Sequence, residues 1–274
     1  EAFADGTGIS ASFNYPYEIT SDGTNLYVGD YGNHKIRKIV IETGEVTTIA
    51  GAESAGSEDG TGTLASFNYP RGIASDGTNL YVADTNNNTI RKIVIETGEV
   101  TTIAGTGTAG TEDGLGTEAS FNSPSGIVID GTSLYVTDKD SSTIRKIFIP
   151  TGEVTTFAGG SAGFIDGSGT SASFWAPYGI TSDGINLYVA DSLNHSIRKI
   201  VIATGVVTTL AGSGSAGFAD GIGTSAKFKY PYGVGSDANN VYVADYQNHR
   251  IRKIVKSTGV VTTLAGSAGL TGST

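Results

Sequence analysis

Three histidines are the side chains of this sequence best suited to metal binding or acid–base chemistry. They are His34, His195 and His249, and an asparagine precedes each one. A shared zinc site would require their ring nitrogens to lie about 2.0–2.1 Å from one ion. The three histidines occupy separate copies of a repeat, and neighbouring sheets stack about 10 Å apart. We therefore expect turn histidines at the surface and no metal site.

An aspartate and an arginine seven residues later recur in every copy of the same motif, which reads Asp-x-x-Asn-His-x-Ile-Arg-Lys-Ile in its fullest form. A carboxylate and a guanidinium at this spacing, on either side of a turn, can form a charge-assisted pair. Fivefold copying favours a structural role over a catalytic one. The predicted structural pairs are Asp30 with Arg37, Asp84 with Arg91, Asp138 with Arg145, Asp191 with Arg198, and Asp245 with Arg252.

The sequence lacks the common motifs of catalytic sites. It has no cysteine, no His-Glu-x-x-His, no serine elbow with partners, and no glycine loop with a phosphate-binding lysine. Five loop aspartates could be considered for calcium, but each loop offers few carboxylates against the six to eight oxygens that this ion takes. We expect no cofactor and favour a protein that is not an enzyme. A metal-dependent lyase or hydrolase remains an alternative.

The chain repeats a unit of 53 or 54 residues five times, and this unit must position the residues named above. In the first copy, Pro16 to Ser21, Leu26 to Gly29, Lys35 to Ile41 and Glu45 to Ala50 read as four short strands separated by turn residues. Long loops of the form Asp-Gly-x-Gly…Ala-x-Phe join the copies. We expect their phenylalanines to be apolar anchors, and these are Phe13, Phe67, Phe121, Phe174 and Phe228.

The third strand carries apolar residues on both faces, since Ile36 and Val40 lie on one side and Ile39 and Ile41 on the other. Sheets with two apolar faces are satisfied when each packs between two neighbours. The sequence therefore predicts an all-β, five-bladed β-propeller in one domain over residues 1–274, with four antiparallel strands per blade. We expect blade one to close on blade five, or the five units to be a slice of a longer array. The predicted blades are residues 16–50, 70–104, 124–158, 177–211 and 231–265.

The repeated motif resembles that of the NHL-repeat β-propellers, in particular the bacterial type with Asp-Gly-x-Gly loops. The motif reads Pro-x-Gly-Ile…Leu-Tyr-Val-Ala-Asp…Asn-His-x-Ile-Arg-Lys-Ile…Val-Thr-Thr-Leu-Ala-Gly. The resemblance covers essentially the whole chain and implies the propeller fold. That family includes RNA binders, protein-binding modules and lyases, so fold alone does not fix function. It implies secretion or surface display for this chain.

Departures from the repeat are the best guide to a binding site. Four copies have glycine at the start of the first strand, whereas the first copy has Glu18. Aromatic rings with one acid and one base are suitable for a ligand site at a channel mouth. We predict a peptide or glycan ligand there, and the predicted contact residues are Tyr17, Glu18, Arg71, Trp175, Tyr178 and Tyr232.

Charge and hydropathy exclude further classes of partner. The formal net charge is −10, and the basic residues are spread over the repeats, so we expect no nucleic-acid partner. No apolar run approaches the about 20 residues of a membrane span. We expect a monomer that acts as a binding or display scaffold. A purely structural repeat module of a larger surface protein is the other alternative.

Overall fold

The computed structural model describes residues 3–267, and this part of the chain consists of strands, short 3₁₀ turns and loops without an α-helix. The strands form five sheets, each with five strands in antiparallel order. These sheets are the blades of a five-bladed β-propeller, and each blade is contiguous in sequence. The predicted fold class is confirmed.

The strand bounds repeat from blade to blade. Blade one comprises β1 (Gly6–Thr7), β2 (Pro16–Ser21), β3 (Asn25–Asp30), β4 (Lys35–Val40) and β5 (Glu45–Ala50). Blade two comprises β6 (Gly60–Thr61), β7 (Pro70–Ser75), β8 (Asn79–Asp84), β9 (Thr89–Val94) and β10 (Glu99–Ala104). Blade three comprises β11 (Gly114–Leu115), β12 (Pro124–Asp130), β13 (Ser133–Asp138), β14 (Thr143–Phe148) and β15 (Glu153–Gly159). Blade four comprises β16 (Gly167–Ser168), β17 (Pro177–Ser182), β18 (Asn186–Asp191), β19 (Ser196–Val201) and β20 (Val206–Ala211). Blade five comprises β21 (Gly221–Ile222), β22 (Pro231–Ser236), β23 (Asn240–Asp245), β24 (Arg250–Val255) and β25 (Val260–Ala265).

Short 3₁₀ turns complete the repeat at two kinds of position. One kind follows the two-residue strand of each blade, at Gly8–Ser10, Gly62–Leu64, Gly116–Glu118, Gly169–Ser171 and Gly223–Ser225. The other kind follows the second long strand of four blades, at Tyr31–Asn33, Thr85–Asn87, Ser192–Asn194 and Tyr246–Asn248.

Each blade has one strand more than the four predicted. In blade one the additional strand is β1, which pairs Gly6 with Val46 and Thr7 with Glu45 of β5. A strand of two residues is too short to show the alternation from which strands are predicted. The loop that precedes a blade is therefore part of that blade, because it adds the outermost strand to the same sheet.

In four blades the aspartate of the first hairpin turn holds the turn through its side chain. Asp76 Oδ1 accepts hydrogen bonds from the backbone N–H groups of Thr78 and Asn79, and Oδ2 accepts one from the Tyr81 hydroxyl at 3.0 Å. Burial acts to raise the pKa of Asp76, but the bonds from Asn79, Thr78 and Tyr81 outweigh it and lower the pKa. The ionised aspartate thus stabilises the hairpin between β7 and β8.

The chain divides into two compact units. One comprises Glu1–Val136 with Ile147–Thr155, and the other comprises Thr137–Lys146 with Thr156–Thr274. In the first unit β7 lies between β2 and β12, and in the second β17 lies beside β22. The first long strands of successive blades are therefore neighbours within each unit. The predicted packing of blade one on blade five stays a prediction.

Candidate functional site

The predicted contact residues of the first strands lie at β-bulges. In blade one the register between β2 and β3 shifts between Pro16 and Ile19, so that Tyr17 and Glu18 lie in the irregular segment. The same shift follows Pro70, Pro177 and Pro231 in three other blades. Bulges turn side chains out of the regular alternation. This position is therefore a place where the repeat can vary its side chains without changing its strands.

In the first unit, Tyr17 and Arg71 form an aromatic and cationic cluster. The guanidinium carbon of Arg71 lies 4.4 Å from the centre of the Tyr17 ring and 5.0 Å from that of Tyr31. Tyr31 in turn lies 4.9 Å from Tyr17 and 4.6 Å from Tyr69, measured between ring centres. The structure thus brings two of the predicted residues together, and adds Tyr31 and Tyr69 to them.

Glu18, which was predicted to lie at a channel mouth, has its carboxyl group bound to backbone amides of other blades. Its Oε2 accepts a hydrogen bond from the backbone N–H of Ile73 at 3.1 Å, and the backbone N–H of Ile127 also bonds to the carboxylate. Burial raises the pKa of Glu18 to about 8, although these two amides and Arg71 favour the charged form. The carboxyl group is thus directed at the first strands of blades two and three.

A glycine in blade two leaves the space that Glu18 fills. A Cβ atom on Gly72 would lie 2.9 Å from Oε2 of Glu18 and would overlap the carbonyl oxygen of Ser125. Only glycine fits at this position of blade two, because the Ser125 carbonyl oxygen and the Glu18 carboxyl group approach it so closely. The first copy can carry a long acidic side chain because its carboxyl group extends over the neighbouring glycine.

In the second unit, three tyrosines form a continuous stack. Tyr178 and Tyr232 have ring centres 4.4 Å apart with planes at 15°, and Tyr232 and Tyr246 are 4.5 Å apart with planes at 8°. Lys139 Nζ lies 5.8 Å from the centre of the Tyr178 ring. Tyr246, at one end of the stack, is 53% exposed. The stack is a rigid apolar surface, bordered by a cation, that a ligand can reach.

Trp175 is also accessible in this unit. The residue is 49% exposed, and its backbone N–H donates to Asp191 Oδ1 at 2.7 Å. This bond fixes the backbone of the residue, while half of the indole surface remains open. Trp175 is the one tryptophan of the sequence.

The predicted aspartate–arginine pairs are buried ion pairs. Each of these aspartates and arginines is fully buried. Their nitrogen–oxygen distances are 2.8 Å for Asp30 with Arg37, 2.9 Å for Asp84 with Arg91, 3.5 Å for Asp138 with Arg145, 2.8 Å for Asp191 with Arg198, and 2.8 Å for Asp245 with Arg252. Burial raises the pKa of Asp84 and of Asp191 to about 6, against the pull of backbone, asparagine and arginine donors.

A second carboxylate reaches the arginine from the loop before each of four blades, and the sequence analysis did not assign it this role. In blade two it is Asp59, whose Oδ1 accepts from Arg91 Nη2 at 2.7 Å and from the Thr102 hydroxyl. The invariant position of this aspartate in the loop motif was the available signal. The other such contacts are Asp5 with Arg37, Asp166 with Arg198 and Asp220 with Arg252.

Two of the histidines join successive blades instead of serving only as surface turns. His34 Nδ1 accepts the backbone N–H of Tyr69 at 3.0 Å, and His195 Nδ1 accepts that of Tyr230 at 3.2 Å. Burial lowers the pKa of both imidazoles, which favours the neutral ring that this bond requires. In blade two, Asn88 Oδ1 replaces the imidazole and accepts from Ser123 at 2.9 Å. An asparagine can therefore substitute for this histidine without loss of the bond.

Within residues 3–267, no group of three or more histidine, aspartate or glutamate side chains is arranged to hold a metal ion. No helix of the same residues is long and apolar enough to cross a membrane.

Comparison with known sequences identifies relatives over most of the chain. The NHL repeat profile matches residues 67–93. NHL repeat-containing protein 2 is 29% identical in Gallus gallus over 91% of this chain and 30% identical in Homo sapiens over 92%. Protein SUPPRESSOR OF QUENCHING 1, chloroplastic, of Arabidopsis thaliana is 33% identical over 93%. The matches span 48%, 40% and 26% of these relatives, so the chain corresponds to about half of their length or less.

Solved structures share the fold. A structural genomics protein of unknown function from Bacteroides thetaiotaomicron matches with a TM-score of 0.60 and 25% identity, over 96% of this chain and 73% of that one. A chain of a nidogen/laminin complex has a TM-score of 0.66 and 19% identity, over 92% and 79%. An auxiliary nutrient binding protein from Bacteroides ovatus has a TM-score of 0.61 and 20% identity, over 93% and 71%.

Proposed function

Because this chain is a β-propeller built of NHL repeats, we propose that it is a non-catalytic binding scaffold for a peptide or a glycan. The observation that carries the proposal is the stack of Tyr178, Tyr232 and Tyr246, which ends in an exposed ring. Aromatic residues supply most of the energy in many binding sites because they bury a large area at small entropic cost. The three rings pack on one another within the chain, so little ordering is needed on binding.

The repeat comparison supports this location. Where Tyr178 and Tyr232 stand, the other blades have Tyr17, Arg71 and Ser125. A position that the scaffold needed would carry one residue type in all copies, as the buried arginines do. Variation at this bulge is therefore better explained by contact with a ligand than by the fold.

The proposed contact residues fall into two groups. In the second unit, Tyr178, Tyr232 and Trp175 offer aromatic surface. In the first unit, Tyr17 and Arg71 offer a ring and a cation that already contact each other. Glu18 acts on the site indirectly, since its carboxyl group is bound to the backbone amides of neighbouring blades.

A peptide or a glycan ligand suits the exposed flat ring of Tyr246. Pyranose rings and proline or aromatic side chains all present apolar faces that pack on tyrosine, and Lys139 supplies a cation at the Tyr178 end of the stack. The solved structure described as an auxiliary nutrient binding protein, which shares the fold at 20% identity, is in keeping with such a role for this scaffold.

The proposal is tested by screening the chain against glycan and peptide arrays and repeating the screen with a Tyr232→Ala, Tyr246→Ala double variant. We expect binding in one class of array and its loss in the double variant. Phe148→Ala, at a residue 36% exposed outside the stack, is the control and should bind normally. Equal binding by the double variant, or no ligand in either array, would contradict the proposal.

A further inference from the structure

Two hydrogen bonds between successive blades have an imidazole nitrogen as their acceptor. Nδ1 of His34 in blade one accepts the backbone N–H of Tyr69 at 3.0 Å, and Nδ1 of His195 in blade four accepts that of Tyr230 at 3.2 Å. We call these two contacts the imidazole bonds. A backbone N–H can only donate, so Nδ1 must carry no proton and each ring must be neutral. Protonation of either ring would replace the acceptor with a second donor.

Each imidazole bond lies beside the packed contact of two blades. Phe67, two residues before the donor Tyr69, is fully buried in one cluster with Ile36 of blade one. Phe228 stands at the same distance before its donor and is fully buried in one cluster with Ile197 of blade four. The donor N–H therefore belongs to the segment that fills the space between the two blades, and the bond fastens the end of that segment.

The surroundings of both rings favour the neutral form. Burial is the largest effect and lowers the pKa of each imidazole from its usual 6.5. At His34 the ammonium group of Lys35 lowers the pKa further, and at His195 the carboxylate of Asp245 raises it while Lys229 lowers it. Each imidazole also lies edge-on against the ring of the tyrosine whose N–H it accepts, with ring centres 4.4 and 4.7 Å apart.

Blade two makes the same bond to the next blade with a group that does not titrate. Asn88 Oδ1 accepts the backbone N–H of Ser123 at 2.9 Å. Oδ1 of asparagine and Nδ1 of histidine are both bonded to Cγ, so they reach the same place. His34, Asn88 and His195 have φ of 57°, 54° and 50°, a left-handed backbone that asparagine adopts readily. The scaffold can thus make this bond without an imidazole, and what histidine adds is a response to pH.

We propose that the imidazole bonds are an acid-sensitive device, which loosens blade two from blade one and blade five from blade four in mild acid. A proton from solvent on Nδ1 of His34 or His195 breaks the bond and sets two donors against each other. A folded pKa below the unfolded value means that each histidine contributes its full stability above pH 6.5 and loses that contribution as the pH falls below it.

The test compares the wild type with a His34→Asn, His195→Asn double variant by urea denaturation at a series of pH values. Asparagine keeps the acceptor at every pH, so the variant should be as stable as the wild type at about pH 7.5. Between about pH 7 and about pH 5, the unfolding equilibrium constant of the wild type should rise relative to that of the variant, by up to about 10-fold per pH unit for each histidine. The other titrating groups are common to both chains, so this ratio reports the two imidazoles.

Two further variants separate the hydrogen bond from the burial of the ring. Asn88→His introduces an imidazole at the bond of blade two, so its unfolding equilibrium constant should rise relative to the wild type by up to about 10-fold per pH unit in the same acid range. A His34→Gln, His195→Gln double variant is the control for the bond itself, since the amide oxygen of glutamine lies one bond farther from Cγ. This variant should be less stable than the asparagine variant at every pH and should lack the acid response of the wild type.

Hydrogen exchange locates the change in the folded chain. At about pH 5 the backbone amides of Tyr69 and Tyr230 should be less protected in the wild type than in the double asparagine variant, and at about pH 7.5 they should be equally protected in both. A ratio of unfolding constants that stays the same from neutral to acid pH would overturn the proposal. Equal protection of the two amides in both chains at the acid pH would overturn it as well, because the imidazole bonds would then be intact.

Discussion

The arginine of each repeat shows how one side chain can organise a blade. Arg91 is fully buried, and its two terminal nitrogens donate to Asp84, to Asp59 and to the backbone carbonyls of Ser66 and Glu58 at 2.7–2.9 Å. Its guanidinium carbon also lies 5.1 Å from the centre of the Phe67 ring. The planar donors of arginine match this set of acceptors, and a lysine could not.

Loss of this arginine should be among the most destabilising single changes in the chain. Arg91→Met keeps most of the side-chain volume but leaves the buried Asp84 carboxylate without its cation, so we expect the free energy of unfolding to fall by about 3–5 kcal/mol. Arg91→Lys should recover only part of it. Urea denaturation measures both effects. Lys92→Met, at the adjacent residue, is the control and should change stability by about 0.5 kcal/mol or less. A loss below about 1 kcal/mol for Arg91→Met would contradict the buried role.

Glu18 should make stability depend on pH in an unusual direction. Its pKa rises from 4.5 in the unfolded reference to about 8 in the folded chain because of burial. A folded pKa above the unfolded value means that the contribution of Glu18 is fully present below pH 4.5 and is lost as the pH rises through 8. The loss amounts to roughly 1.4 kcal/mol for each pH unit between these two values.

Glu18→Gln removes this titration, so the variant should lose less stability than the wild type as the pH rises across that range. Urea midpoints measured from about pH 5 to about pH 9 in both proteins provide the comparison. Glu42→Gln is the matched control, since Glu42 is exposed, and its profile should follow that of the wild type. Parallel profiles for the wild type and Glu18→Gln would show that the carboxyl group is not buried in the folded state.

At the scale of the element, the loop before each blade adds a fifth strand to the sheet. In blade two, Asp59 holds this strand in place from the residue just before it. Asp59 joins the loop to Arg91 and also accepts from the backbone N–H and the hydroxyl of Thr102 in β10. Two strand residues alone would hold the loop weakly. The aspartate is therefore one of the contacts that keep β6 on the sheet.

Removing that contact should release the loop while the blade stays folded. Asp59→Ala should increase the rate of proteolytic cleavage in the segment 51–67 and lower stability by about 1–3 kcal/mol, the range for hydrogen bonds to charged groups. Limited proteolysis with mass spectrometry locates the cut. Glu58→Ala is the matched control, because the Glu58 side chain is exposed and its contact with Arg91 is through the backbone. Equal cleavage of the two variants would contradict the fastening role.

The elements also show what a sequence can predict. The four long strands of each blade follow from alternation between turn residues, and Pro16–Ser21 and Glu45–Ala50 have the predicted bounds. The fifth strand was missed because Gly6 and Thr7 are too few to alternate. The bonding partners of Glu18 could not be predicted, because Ile73 and Ile127 lie in other blades, and their approach depends on packing across the blades.

At the scale of the whole molecule, residues that are the same in all repeats indicate the scaffold, and residues that differ between repeats indicate the candidate site. The buried arginines and the loop aspartates recur because every blade needs them, and they could be assigned to the scaffold from the fivefold copying. The tyrosine stack could not be predicted, because Tyr178, Tyr232 and Tyr246 come from two blades and only their packing makes the rings parallel. The sequence analysis named Tyr178 and Tyr232 as candidate contact residues, but not Tyr246, nor the stacking of the three rings.

The most direct test of the account is a calorimetric titration of the ligand found in the array screen against the wild type, Tyr246→Ala and Phe148→Ala. Loss of the exposed ring of the stack should weaken binding by at least about 10-fold, or roughly 1.4 kcal/mol, with no change in the unfolding temperature. Phe148→Ala should bind like the wild type. Equal affinities in all three proteins would show that the stack is not the binding surface.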